Sequence, residues 1–239
     1  MKNQTQISFS TAAIIAGISI VVMTISAVVS TDLTIGRLVV DDNPPATYYA
    51  IKENLMLFRT GVFSWIMVLI CDLIIAWSMY IYLKPINKDV SLITAWTRVL
   101  YTSILGTAIA SLIQLNLLQQ QFINGSDFSL EYFISETWFY YNSFHVIWSM
   151  GLLIFGLHIL LLGYLSLKSW YLPKWMAIFL ILGGIGYLCI HILKLLAPSN
   201  KEIIQMLEWI FILPMLTEVV LGFWLLWRGK SITLTDRLQ

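Results

Sequence analysis

The chain has 239 residues, of which 59% are hydrophobic and 11% charged, and its net charge is +1. A soluble domain usually carries about 25% charged residues, so there is too little charge here to coat a water-facing surface, and nothing in the balance supports a nucleic-acid partner. The two cysteines, Cys71 and Cys189, sit inside apolar runs and form neither a disulfide framework nor a metal motif.

A membrane-crossing helix needs about 20 mostly apolar residues, and about six stretches qualify. In chain order they begin with "TAAIIAGISIVVMTISAVVS", from Thr11 to Ser30, which is too long for the apolar core of a secretory signal and reads as a retained anchor. The second runs from Leu57 to Leu83, the third from Leu92 to Leu118 and the fourth from Trp138 to Leu167. The fifth runs from Lys174 to Leu196 and the sixth from Ile203 to Trp227. Pro85 and Pro173 punctuate two connections, where a proline stops or starts a helix. With no linker and no fixed-period repeat, residues 1–239 read as a single integral membrane domain. The fold class is all-α: a polytopic membrane helical bundle of about six transmembrane helices, plus one or two short interfacial helices on the outer side.

Lys and Arg set the orientation. With the N-terminus in the cytoplasm, the inner flanks hold Lys2, Lys84, Lys88, Lys168, Lys174, Arg228, Lys230 and Arg237. The outer loops hold Arg37, Lys52, Lys201 and the borderline Arg59. Both termini are therefore expected inside. In the first outer loop Tyr48, Ile51, Leu55 and Phe58 recur at helical spacing after Pro44 and Pro45, which predicts a short helix lying on the interface. "FSLEYFISETWFYY" has the same amphipathic character and predicts a second. Asn124-Gly125-Ser126 matches a glycosylation pattern too short to carry weight.

Polar residues inside the apolar runs carry the chemistry, because charges at membrane depth are costly and turn inward to find partners. His158 stands ten positions before Lys168 and Glu218 nine before Trp227, so both lie about 15 Å from the inner end of their helices. Arg98 enters from the same side, and Asp72 is near the midplane. Asp72, Arg98, His158 and Glu218 are thus an expected inner-half cluster, either a clasp that locks helix packing or a functional site. His145, His191, Lys194 and Glu208 fall in the outer half, with Gln114 and Asn116 as further polar residues at depth. Pro214 cannot donate to the carbonyl of Ile210, so the sixth helix should kink one turn before Glu218.

No metal is expected. His145 and His158 are thirteen positions apart, about 20 Å along one helix and on faces ~220° apart, so they cannot share an ion. Zinc would need His145, His191 and Glu208 to converge from separate segments. The glycines of "LGGIGYL", with Gly106 and Ala110 at small-x-x-x-small spacing, read as close helix packing. No nucleophile elbow, P-loop or dinucleotide fingerprint is present.

Four stretches, "NPPATYYAI", "RTGVFSWIMVLICDLIIAWSMYIYLKPINK", "GLHILLLGYLSLKSWYLPKWMAIFLILGGIGYL" and "TEVVLGFWLLWRG", together resemble a bacterial multi-pass membrane family of the domain-of-unknown-function 4386 type. The strongest pieces are "SWYLP" at Ser169–Pro173 and "GIGYL" at Gly184–Leu188, and the likeness runs from about Ala16 to Gly229. It implies a helical bundle in the bacterial cytoplasmic membrane and transfers no activity and no site residue.

Three functions fit this reading. The first is a non-catalytic bundle that binds a lipid, a small molecule or a partner helix through its polar interior. The second is a small permease or proton-coupled carrier whose relay is Asp72, Arg98, His158 and Glu218. The third is a membrane-embedded hydrolase or transferase using the outer histidines and Glu208. The bilayer is the one partner the sequence implies outright, and no pattern fixes an oligomeric state.

Overall fold

The computed structural model describes residues 7–123 and 128–232. Lys2, Arg237 and the Asn124-Gly125-Ser126 triplet lie outside them. Among the described residues there are nine α-helices and no strand.

Helix α1, Phe9–Val28, is Ala- and Ile-rich and runs without a break into a π-helical turn, Val29–Thr34. Hydroxyl groups open that turn. Thr31 Oγ1 donates to Ala27 O at 2.9 Å and Thr34 Oγ1 to Val29 O at 2.9 Å, while Ser30 Oγ donates to Gly61 O at 2.9 Å. Side chains that bond backbone carbonyls widen a helix locally. A short helix α2, Ile35–Leu38, follows.

Helix α3, Pro44–Glu53, starts where the sequence asks it to. Asn43 Oδ1 accepts from Ala46 N at 3.1 Å, and prolines occupy the first turn. It stops at Asn54, whose side-chain amide donates to Ala50 O. Tyr48 and Ile51 on α3 and Phe58 on the next helix are fully buried, so the apolar stripe continues across the break. Helix α4, Leu55–Leu83, ends before Pro85. Helix α5, Lys88–Ile123, is capped by Asn87 Oδ1, which accepts from the backbone N–H groups of Asp89 and Val90.

Helix α6 runs unbroken from Leu130 to Lys168. The second interfacial helix expected over "FSLEYFISETWFYY" is therefore not a separate element but the first two turns and more of a span. No proline or glycine lies between Leu130 and Trp138 to end it, and a ring-rich span end has the same pattern as a surface helix. Helix α7, Lys174–Leu196, begins directly after Pro173. The sixth span is split into α8, Lys201–Met215, and α9, Thr217–Trp227, at Leu216, where the missing Pro214 donor breaks the ladder.

Six helical segments are long and apolar enough to cross a bilayer: Phe9–Leu38, Leu55–Leu83, Lys88–Gln121, Leu130–Lys168, Lys174–Leu196 and Lys201–Trp227. The chain is a multi-pass membrane protein. By its contacts it divides into two compact units, one of residues 1–22, 71–101 and 152–239, the other of 23–70 and 102–151. Residues 23–70 and 102–151 pack Tyr48, Leu118 and Phe133 into a buried core, set Trp65 at a steep angle against Phe144 and Trp148, and tie Arg59 Nε to Asn116 Oδ1 at 2.9 Å. Gln119 Nε2 donates to Thr137 Oγ1 at 3.0 Å.

In the other unit two glycine contacts set the helix spacing. A Cβ on Gly184 would stand 2.9 Å from the carbonyl oxygen of Gly156, so α6 and α7 touch backbone to backbone. A Cβ on Gly183 would stand 2.7 Å from the carbonyl oxygen of Pro214, so the kink of α8 nests on α7. The "SWYLP" connection is held just as closely. Ser169 Oγ accepts from Tyr171 N and Leu172 N, and Tyr171 OH donates to the carbonyl of Tyr82 at 2.7 Å. The Tyr171 and Tyr82 rings enclose Phe9.

Candidate functional site

Four helical segments of the first unit each present one buried stripe, and each stripe carries one of Asp72, Arg98, His158 and Glu218. On α4 the stripe is Asp72, Ile75, Met79 and Tyr82; on α5 it is Ser91, Thr94, Arg98 and Tyr101. On α6 it is Phe155, His158, Leu162 and Leu165, and on α9 Thr217, Glu218, Leu221 and Leu225. Apart from the adjacent Thr217 and Glu218, the spacing is three or four residues, which is one face of a helix.

The four ionisable side chains meet around Arg98. Its Nε and Nη2 lie 2.9 and 2.5 Å from a single oxygen, Asp72 Oδ1. Its Nη1 donates to Glu218 Oε1 and stands 3.2 Å from His158 Nε2. On the other side of the imidazole, His158 Nδ1 is 2.8 Å from the carbonyl oxygen of Thr94. The Arg98 guanidinium also lies over the Phe155 ring, 5.5 Å from its centroid. Fractional exposures are 0% for Arg98 and Asp72, 1% for His158 and 6% for Glu218. Such burial makes every pairing strong and every orphan costly. Asp72 Oδ2 is buried and has no hydrogen-bond partner.

The residues expected in the outer half do not gather into one cluster among the described residues. Lys194 and Glu208 form an ion pair at 2.7 Å, but their side chains are 36% and 46% exposed. His191, one turn before Lys194, is buried with its ring stacked on Tyr187 at 6.2 Å between centroids. His145 belongs to the unit of residues 23–70 and 102–151, where its ring meets Tyr141 at 4.6 Å and Phe144 at 5.1 Å. Among the described residues no three His, Cys, Asp or Glu side chains are grouped as a metal ion would require. Gln114 lines a groove with Gln121, Tyr132 and Tyr140.

Two partners of the cluster escape a reading of the sequence. Thr94 contributes a backbone carbonyl, which every residue type has, so no letter signals it. Phe155 stands three positions before His158 on the same face, a spacing that does point to it.

Two further grooves open on the first unit. One, of about 290 Å³, is lined by Pro85, Ile86, Asn87, Tyr164, Lys168 and Trp170. The other, of about 430 Å³, is lined by Lys194, Pro198, Lys201, Ile204, Gln205 and Glu208. None of Asp72, Arg98, His158 and Glu218 lines either.

Among families of known proteins, the one described as "Domain of unknown function (DUF4386)" matches residues 15–229. An uncharacterized protein of Archaeoglobus fulgidus is 24% identical over 173 residues, which covers 72% of this chain and 84% of its own. No solved structure matches the chain.

Proposed function

The chain belongs to the DUF4386 family, and from that premise we propose that it is a non-catalytic, lipid-binding helical bundle of the bacterial cytoplasmic membrane with both termini in the cytoplasm. The buried network serves as a clasp that fixes four helices, and binding falls to the groove beside Lys168. The orientation rests on charge: Lys84, Lys88, Lys168, Lys174 and Arg228 flank one set of helix ends, against Arg37, Lys52, Lys201 and Arg59 at the other.

One observation carries the lipid reading. The groove of Pro85, Ile86, Asn87, Tyr164, Lys168 and Trp170 combines an ammonium, an amide and two aromatic rings with polar tips. Lys168 Nζ lies over the Tyr164 ring at 5.9 Å and, among the described residues, forms no ion pair with a carboxylate. An available cation between interfacial aromatic residues suits the phosphate of an anionic phospholipid head group, which the cytoplasmic leaflet supplies. By contrast, Lys194 in the second groove is already neutralised by Glu208. The test is lipid retention by purified protein in mixed phosphatidylglycerol and phosphatidylcholine micelles. Phosphatidylglycerol should be retained preferentially, and Lys168→Gln should weaken that preference roughly tenfold, the equivalent of about 1.4 kcal/mol. Equal retention of the two lipids by the unmodified protein would refute the reading.

A proton-coupled carrier is the second reading, favoured by one feature: two carboxylates, Asp72 and Glu218, share a single guanidinium. Solute uptake into proteoliposomes that is driven by a pH gradient and abolished by Asp72→Asn would select it.

A further inference from the structure

We propose that Asp72 holds a proton on Oδ2 at neutral pH, so that the buried network contains a resident proton-binding site and is electrically neutral. This goes beyond the lipid-binding reading and does not depend on it.

The contacts of the imidazole fix its charge. A carbonyl oxygen can only accept, so the 2.8 Å contact to Thr94 O requires His158 Nδ1 to carry hydrogen. Arg98 has donors only, so at 3.2 Å His158 Nε2 must accept from Nη1. One nitrogen donates and the other accepts: the ring is neutral. Arg98 then contributes one positive charge, and Asp72 and Glu218 would contribute two negative ones if both were ionised. The surplus would be one unbalanced negative charge in a site where Asp72 and Arg98 are fully buried. Isolated charge at membrane depth is among the costliest things a bundle can contain.

Other groups near the cluster do not supply the missing positive charge. Glu218 comes from α9 and His158 from α6; Tyr187 of α7 packs on Phe155, and Cys71 is the neighbour of Asp72 on α4. None of these is a cation, and α1 carries no titratable side chain. A proton is then the simplest counter-charge.

Geometry says which carboxyl has it. An ionised carboxylate facing the Nε–Nη2 edge of arginine normally takes the two N–H groups on its two oxygens. Here both point at Oδ1 of Asp72, and Oδ2 is buried without any partner. Oδ2 is therefore the oxygen on which a proton displaces no existing hydrogen bond, while Oδ1 accepts twice. Glu218, bonded by Nη1, is left as the single anion opposite the single cation. The equilibrium involved is simple ionisation, Asp72 COOH to COO⁻ plus H⁺, with no redox partner.

Infrared spectroscopy of the purified full chain in lipid at neutral pH tests the proposal. The expected result is a protonated-carboxyl C=O band that shifts in D₂O, is lost in Asp72→Asn and persists in Glu218→Gln. Absence of the band in the unmodified protein overturns the proposal without reference to any variant. A band lost in Glu218→Gln but kept in Asp72→Asn overturns it by placing the proton on the other carboxyl. Thermal stability gives an independent reading. Asparagine is close in shape to the neutral acid, so Asp72→Asn should melt near the unmodified protein, whereas Glu218→Gln, which leaves Arg98 without its anion, should melt well below it. The reverse order, or a sodium-dependent melting temperature lost in Asp72→Asn, overturns the proposal in favour of an ionised Asp72.

Discussion

His158 donates from Nδ1 to the carbonyl oxygen of Thr94 at 2.8 Å, four residues before Arg98 on the same helix, and turns its other nitrogen to Arg98 itself. One side chain from α6 thereby grips both the backbone and the central cation of α5. Replacing it with leucine removes two hydrogen bonds, while Thr94 O keeps the Thr97 hydroxyl at 2.8 Å and Arg98 Nη1 keeps Glu218. His158→Leu should lower stability by about 1–3 kcal/mol, the loss of one neutral hydrogen bond and one to a charged group. His158→Asn, whose amide can still reach Thr94 O, should lose less. Melting temperatures in one detergent rank the two, and an equal loss would show that the Thr94 contact contributes little.

Arg98 sits between two carboxyl groups, Asp72 and Glu218, so single and double changes should not add. Arg98→Leu leaves Asp72 and Glu218 facing each other without a cation, and a loss of about 3–5 kcal/mol is expected. Glu218→Leu should also destabilise. The double change Arg98→Leu with Glu218→Leu removes the charge pair together and should fall well short of the sum of the two. A double-mutant cycle on thermal unfolding measures the coupling; strict additivity would mean the two side chains do not stabilise each other.

Much of this network could be read before any coordinates. A helix rises by a constant amount per residue, so counting from the charged flanks places Arg98, His158 and Glu218 at a common depth. Pro214 likewise announces the break that the structure puts at Leu216. Depth does not reveal azimuth, however. The same counting sets His145 and His191 in one half of the bilayer without saying what either ring meets, and the His145 ring meets Tyr141 and Phe144 of its own helix. Nor does composition separate a helix that lies on the membrane from the end of one that crosses it, which is why residues 128–141 read as an element of their own. The identity of the oxygen that Arg98 chooses, and the carbonyl that His158 finds, depend on side-chain and backbone placement that no letter encodes.

The α6–α7 contact should tolerate almost nothing larger than glycine. A Cβ on Gly184 would meet the Gly156 carbonyl oxygen at 2.9 Å and the Leu160 side chain at 2.7 Å. Because a backbone atom is among the obstacles, the helices must separate. Gly184→Val should therefore destabilise by about 1–3 kcal/mol, as overpacking does, and displace His158, two positions from Gly156, relative to Arg98. A melting curve checks the first effect.

Alkaline pH should act through the connection between α6 and α7. Burial pushes the Tyr171 phenol above its usual range, against a smaller opposing effect of the Ser169 hydroxyl. A group with a raised folded-state value stabilises fully below its unfolded value of about 10 and loses that contribution as pH climbs through the folded one. The protein should therefore be insensitive to this group at neutral pH and weaken above about pH 10. Tyr171→Phe should cost about 1 kcal/mol at neutral pH by removing the bond to the Tyr82 carbonyl, and it should blunt the alkaline loss. Melting temperature against pH for the two proteins measures both.

The Lys194–Glu208 pair offers the counter-case to Arg98. Its distance, 2.7 Å, is as short as many in the buried network, but both side chains are more than a third exposed. Water and head groups compete for such charges, and exposed ion pairs contribute about 0–1 kcal/mol. Lys194→Met should therefore shift stability by less than about 1 kcal/mol, and added salt should shrink even that. Distance alone would rank the two sites together; the expected several-fold difference between Lys194→Met and Arg98→Leu follows from burial, and a comparable loss in both variants would mean that α8 is held to α7 mainly by this charge pair and not by the seat of Pro214 on Gly183.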